Sequence, residues 1–385
     1  MNQFIPQSKE PLKALEFFAG IGLARAGMGT FGISTIWAND YDPSKQLMYS
    51  KQWDGSEYRL ADIHEIRGES VPTADIAWSS SPCTDLSLAG NRVGLRGGRE
   101  SSAFFGFTRV LREMGERKPK VVVLENVLGL ASSNKGADLR AAALEFNELG
   151  YSVDCIVLDT LHFLPQSRPR LFMVGALEPR GGGSLDESLR PKKISSIHSD
   201  PAIDTFLSPL PQLPDLVTEG LTSGIIERLD PTDKRWWHQE RVENFVHSMS
   251  DVQRQRLRNY IQSPLIVART AYRRTRNGIP VWEMRAEDVS GCLRTARGGS
   301  SKQAVVIMGQ GSVNIRWMTG LEYARLMGAG WFNLDGLRES QIHYGFGDAV
   351  SVPAVSWITA NMVLPVLGTP TSSSPALKPS LLSNG

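Results

Sequence analysis

Between Leu12 and Val174, short apolar runs suited to β-strands alternate with stretches patterned for helices, and this alternation constrains the chain more than any other feature. Parallel strands need a long crossover between them, usually a helix, so a strand–helix rhythm implies a mostly parallel sheet covered by helices. The runs are Ala14–Phe18, Thr35–Ala38, Ile76–Ser79, Val121–Leu124, Val153–Leu158 and Leu171–Val174. Between them Ala103, Phe104, Phe107, Val110, Leu111 and Met114 recur at helical spacing, as do Leu139, Ala142, Ala143, Phe146 and Leu149. Strands as continuously apolar as Val121–Leu124 suit a sheet buried on both faces. The expectation is an α/β fold with a doubly wound, mostly parallel sheet over residues 11–178 and a second, smaller domain.

The texture changes at Arg180–Ser184, where glycine and then proline become frequent. Residues 179–335 are expected to form the second domain, although 185–227 have no assignable pattern. Helical patterning returns over Glu240–Tyr260. Leu265–Ala268, Gly291–Thr295 and Ala304–Met308 read as short strands. Met318–Met327 reads as a helix capped by Thr319, with Glu322 three positions on. Residues 336–367 are expected to return to the first domain, with Ser351–Leu364 as a last helix and Pro353 in its first turn. Residues 368–385 read as a disordered tail.

A hydrophobic fraction of 41% over 385 residues permits a sizeable core. No apolar run approaches the roughly 20 residues of a membrane span, and the opening lacks the order of a signal peptide. The expected setting is therefore cytoplasmic, without a membrane. Cys83, Cys155 and Cys292 are too few and too widely spaced for a disulfide framework or a paired metal site, so free thiols and no metal are expected.

Several polar residues stand where the apolar runs end. Phe18-Ala19-Gly20-Ile21-Gly22 forms a glycine turn between strand and helix, where a backbone can approach a nucleotide-like ligand. Tight packing explains such a turn equally well. Asp40 ends the second strand about 20 residues on, where an acidic residue either binds ribose hydroxyls, with Tyr41 offering a ring face, or caps a helix ahead of a surface tyrosine. Asp62 follows Tyr58–Ala61 and suits an adenine amino group, or an ordinary turn. Ser81-Pro82-Cys83-Thr84 follows a buried strand and leads into the glycine-rich loop Asn91–Ser102. Its polar, proline-broken surroundings favour an exposed nucleophile over a core cysteine. Glu125 and Asn126 follow four apolar residues, where a carboxylate needs a partner or a role. Arg168 and Arg170 stand at alternate positions before Leu171–Val174, so extended backbone points both to one face.

Together, FFAGIG, WANDYD, SPCTDLS, ENV, QSRPR, RWMTGLEYARLM and Gly347-Asp348-Ala349-Val350 resemble, in order and spacing, the cytosine-C5 DNA methyltransferase family. The resemblance implies a class I, Rossmann-like methyltransferase fold and S-adenosylmethionine as cofactor. Phe18, Ala19, Gly20, Gly22, Leu23, Asp40, Tyr41, Asp62, Ile63, Pro82, Asp348 and Val350 match the cofactor positions. Cys83 matches the thiol that attacks C6, and Glu125 the acid that meets N3 and the exocyclic amine. Arg168 matches the arginine at O2, with Arg170 its lesser neighbour. Arg92, Arg96 and Arg99 would grip phosphates from a closing loop over a flipped-out base. The sequence departs from the family at Leu23, where a second glycine is usual. Thr84 and Leu86 also differ, and Asp348 stands in place of asparagine, adding a negative charge.

In this family the variable region, here roughly residues 180–315, carries target recognition. Arg228–Arg276 holds 11 Lys and Arg against 5 Asp and Glu, with Trp236, Trp237, Tyr260 and Tyr272 interleaved. Double-stranded DNA is the expected partner, with Arg273, Arg274, Arg276, Ser300, Ser301 and Lys302 as candidate contacts. A restriction endonuclease or other phage-defence system is the further partner the resemblance allows. Two other readings are an RNA (tRNA) cytosine methyltransferase, against which the long variable region weighs, and a non-catalytic scaffold on the same fold.

Overall fold

The computed structural model describes residues 10–82, 102–186, 188–295 and 302–369. The first half runs β1 (Lys13–Phe17), α1 (Leu23–Gly29), β2 (Ser34–Asp40), α2 (Pro43–Gln52), β3 (Tyr58–Leu60), β4 (Ile76–Ser79), α3 (Ser102–Met114), β5 (Val121–Val127), α4 (Ala137–Glu148), β6 (Ser152–Asp159) and β7 (Pro169–Ala176). These strands make one seven-stranded sheet in the order β3-β2-β1-β4-β5-β7-β6. Only β7 runs against its neighbours, antiparallel to both β5 and β6.

Alternate side chains along a strand point to opposite faces, and each face has its own core. Val121 and Val123 pack with α1 residues such as Leu23, Ala24 and Met28. Val122 and Leu124 pack with Phe107, Leu111 and Phe146 of α3 and α4. This is why the strands read as unbroken apolar runs.

Packing on this sheet continues past residue 178, where the second domain was expected to begin. Helix α5 (Lys192–Ser195) brings Ile194 into the α3–α4 core together with Ile197 and Ile203. Fully buried Arg190 donates to both oxygens of Asp154 on β6, at 2.9 and 2.6 Å. A buried bidentate pair fixes its segment in place, so the joint at Arg180–Ser184 is a loop and not a boundary in the packing.

Helices α6 (Gln239–His247) and α7 (Asp251–Ile261) then cover a four-stranded antiparallel sheet, ordered β11-β10-β8-β9. Its strands are β8 (Val267–Arg276), β9 (Ile279–Met284), β10 (Gln303–Gly309) and β11 (Ser312–Trp317). Gly291–Thr295, expected as a strand, is not one. Its polar backbone groups go to side chains instead: Leu293 N–H donates to Gln166 Oε1 at 3.2 Å, and Gly291 carbonyl accepts from Gln303 at 2.8 Å.

The chain closes with α8 (Gly320–Leu326), α9 (Glu339–Asp348) and α10 (Val352–Ile358). Thr319 and Glu322 form the expected capping box on α8. Helix α10, with Pro353 in its first turn, packs on α1. The run Glu339–Val366, 28 residues, is long enough for a membrane span and contains a stretch apolar enough for one. Its most apolar stretch is 83% buried inside the protein, as the middle of a core requires.

Glu16, on β1, is a polar residue inside this core, 1% exposed, with one carboxylate oxygen unpartnered. Burial pushes its pKa up to about 8. In the unfolded chain it titrates near 4.5, so between those values the folded protein holds the extra proton. Its contribution to stability is complete below pH 4.5 and is lost as pH rises through about 8. Glu16→Gln should therefore flatten the pH dependence of chemical denaturation between pH 5 and 8, by an amount on the order of a few kcal/mol. Equal slopes for both proteins would contradict a protonated Glu16.

Candidate active site

The carboxyl ends of β1, β2, β4 and β5 meet at one edge of the large sheet, where ligands bind in open α/β folds. Because β7 is reversed, its amino end reaches the same edge: Arg170 lies opposite Val127 in the register. The reversed strand thus brings the QSRPR segment beside the ENV segment.

At the end of β1 the turn is left-handed at Phe18, Gly20 and Gly22, with φ of 55°, 57° and 83°. A Cβ on Gly22 would lie 2.3 Å from Trp53 Nε1, so packing against α2 demands that glycine. A Cβ on Gly20 would meet nothing nearer than 3.9 Å, which leaves the backbone there open to a ligand.

Asp40 is 4% exposed, and its two oxygens accept from Gly20 N–H and Asp42 N–H at 3.0 Å each. Burial raises its pKa, against the opposing pull of Lys45. Each carboxylate oxygen keeps a second acceptor direction for a ribose hydroxyl. Tyr41 is 61% exposed and presents an open ring. Asp62 accepts from His64 N–H at 2.9 Å, and Ile63 beside it is buried. Pro82 is exposed at the end of β4, the last described residue before Cys83. An open backbone, a flat ring and flanking carboxylates fit an adenosine-bearing cofactor.

Leu23 and Val350 have their side chains in the core, 1% and 5% exposed, which leaves their backbone as what could meet a cofactor. Asp348 does not stand as an unbalanced charge. It pairs with Lys45 Nζ at 3.1 Å and accepts from the Thr295 hydroxyl.

Glu125 is 7% exposed, and Arg170 Nε lies 3.1 Å from its Oε1. Asn126 donates to Ser81 carbonyl at 3.3 Å, tying this strand end to the segment that leads into Cys83. The two arginines sit at different depths. Arg168 is 1% exposed, and its guanidinium donates to the carbonyls of Leu293, Gly347 and Ala349 at 2.8, 3.4 and 2.6 Å. Those bonds clamp the second sheet's approach segment and the α9–α10 joint onto the large sheet. Arg170 is the arginine beside the carboxylate. The shared face read from period-two spacing holds, since both guanidiniums reach Cys292 Sγ, at 3.1 and 3.7 Å.

Cys83, Arg92, Arg96, Arg99, Ser300 and Ser301 lie outside the described residues. Lys302 is half-buried just ahead of β10. Arg273, Arg274 and Arg276 lie on the β8–β9 hairpin, which turns at Asn277-Gly278 with φ of 50° and 80°. Glu283 across the hairpin meets Arg276 at 2.6 Å, Arg274 at 3.6 Å and the Tyr272 hydroxyl at 2.9 Å. The aromatics interleaved with the basic residues of this region include packed ones. Trp237 clusters with Phe245, Trp282 and Trp317, and Arg241 stacks over Trp237 at 4.1 Å. Sequence reading gave Cys292 no role beyond that of a free thiol. Gln166, which bonds Leu326 carbonyl and Leu293 N–H, was passed over inside its motif.

Comparison with known proteins agrees with this architecture. The chain is 35% identical over 167 residues to the type II methyltransferase M.HaeII of Haemophilus aegyptius, covering 43% of this chain and 51% of that one. It is 32% identical over 164 residues to M.HhaI of Haemophilus parahaemolyticus, covering 42% and 48%. The match thus spans about half the length of these curated relatives. The solved structure of the S. pombe Dnmt2 methyltransferase superposes with a TM-score of 0.62 over 92% of this chain and 99% of that one. At 16% identity that likeness is one of fold. The model of the C-5 cytosine-specific DNA methylase family matches residues 12–363, and the chain belongs to that family.

Proposed function

We propose that this protein transfers a methyl group from S-adenosylmethionine to C5 of a flipped-out cytosine at a specific sequence in double-stranded DNA. The observation that carries this is the Glu125–Arg170 pair at the ligand edge, one strand from the segment entering Cys83. When bound, the cofactor supplies an electrophilic methyl on sulfur. The Cys83 thiolate adds to C6 of the base, which makes C5 nucleophilic. Glu125 hydrogen-bonds N3 and the exocyclic amine and offsets the charge that develops there. Arg170, held by Glu125, meets O2 in the role first expected of Arg168. After C5 is methylated, loss of its proton expels the Cys83 sulfur and restores the ring.

Gly20, Asp40, Tyr41, Asp62 and Pro82 are the residues that would hold the cofactor. The second sheet and the loop carrying Arg92, Arg96 and Arg99 would hold the duplex. The same chemistry serves a restriction–modification pair, another phage-defence system or a solitary enzyme. The test is to express the protein in a host free of cytosine methylation and bisulfite-sequence a resident plasmid. Protected cytosines in one sequence context are expected. Unprotected DNA alongside methylated cytosine in cellular RNA would overturn the DNA reading.

Target binding should run through the β8–β9 hairpin. Replacing Arg273, Arg274 and Arg276 by glutamine is expected to weaken duplex binding and reduce the slope of log K against log salt. The reduction should be about one per lost phosphate contact. Glu283 already offsets part of this charge, so a change smaller than three is expected. An unchanged slope in a salt titration would move the recognition surface elsewhere.

A further inference from the structure

Cys155 and Cys292 sit in opposite surroundings. Cys155 is fully buried in an apolar core, and burial pushes its thiol pKa up. Cys292 is half-buried among charges: its Sγ lies 3.1 Å from Arg168 Nη1 and 3.7 Å from Arg170 Nη2. The two arginines differ in their partners. Arg168 is a fixed post, its two terminal nitrogens also bound to three backbone carbonyls. Arg170 stands at the open edge, bonded through Nε to Glu125 and through Nη1 to the Pro169 carbonyl. The sulfur bridges the fixed guanidinium and the working one.

We propose, on the basis of the function assigned above, that Cys292 is a positioning residue of the cytosine site, whose sulfur holds the Arg170 guanidinium in register with Glu125. The charged groups facing it favour the thiolate. Arg170 approaches from β7, Arg168 from the residue just ahead of that strand and Arg294 from the segment of Cys292 itself, while Glu125 on β5 is held by Arg170. Burial alone would raise the thiol's pKa, yet the arginines outweigh it and the net shift is downward. As a thiol Cys292 donates to the Leu293 carbonyl at 3.3 Å, and its sulfur accepts from the two guanidiniums, more strongly once ionised.

Two measurements test this. Cys292→Ala should lower kcat about tenfold, the scale of one lost charge-assisted hydrogen bond, with KM for DNA and cofactor nearly unchanged. Cys292→Ser, which keeps an acceptor, should recover most of that loss. Separately, in a Cys83→Ser background, the rate of Cys292 alkylation by iodoacetamide is followed against pH by peptide mass spectrometry. Its inflection should fall below the free-thiol value of about 8.5, and Arg170→Gln should move it upward. An inflection at or above that value and insensitive to Arg170→Gln would overturn the proposal. So would an unchanged kcat in Cys292→Ala. Alkylation needs no methyl transfer, so failure of the methyltransferase reading and failure of this one are separable.

Discussion

Cys83→Ser is expected to reduce methyl transfer by several orders of magnitude while leaving specific duplex binding largely intact. A thiol near its ordinary pKa is already partly ionised at neutral pH, whereas a serine hydroxyl is not and needs a base to activate it. The reaction depends on forming a bond to C6, so the loss should fall on the chemical step and not on ground-state binding. The groups proposed to hold DNA are other side chains, and the substitution removes none of them. Tritium transfer and mobility shift, run on the same preparation, separate the two effects. Substantial turnover by the serine protein would remove Cys83 as nucleophile. Loss of binding in step with activity would mean that the substitution disturbs the site's structure.

The large sheet was legible because its strands are buried on both faces, so Val121–Leu124 and Leu171–Val174 stand out without alternation. Strand direction was not legible. Nothing in the apolar pattern of β7 distinguishes a parallel strand from the reversed one that brings Arg170 to the ligand edge. Residues 189–206 gave no periodic signal because short turns and single side chains anchor them to the sheet through Arg190, Ile194 and Ile203. Gly291–Thr295 has strand-like composition, yet Gln166 and Gln303 from distant elements take its backbone partners.

At the site, period-two spacing correctly gave Arg168 and Arg170 a common face but carried no information on depth. Arg168 is covered because the α9–α10 joint folds over it, a contact across 181 residues of sequence. Cys292 lies 124 residues from Arg168 and became part of the cluster only through the same folding. Aromatic residues interleaved with basic ones are legible in the sequence, but their partners are not: Trp237 packs under Arg241 in a cation–π stack that only the fold creates.

Glu322→Ala should cost about 3–5 kcal/mol of stability, the scale of breaking a fully buried ion pair from one side. Glu322 and Arg316 are both completely buried, with Arg316 donating to the two carboxylate oxygens at 2.8 and 2.5 Å. The same carboxylate accepts from Thr319 N–H and Glu227 N–H at 2.8 Å each, so β11, the turn into α8 and the chain ahead of Trp236 converge on it. Removing it strands a guanidinium with no water to solvate it and unties the second sheet from the helices that cover the first. Removing both charges should be far milder. Arg316→Met with Glu322→Leu leaves no buried cation, and well-packed apolar replacements of buried ion pairs are often neutral or stabilising. Denaturant unfolding of Arg316→Met, Glu322→Leu and the double variant completes the cycle, and a coupling of several kcal/mol is expected. If Glu322→Ala costs less than about 1 kcal/mol, the range of a surface ion pair, then this pair does not hold the two sheets together.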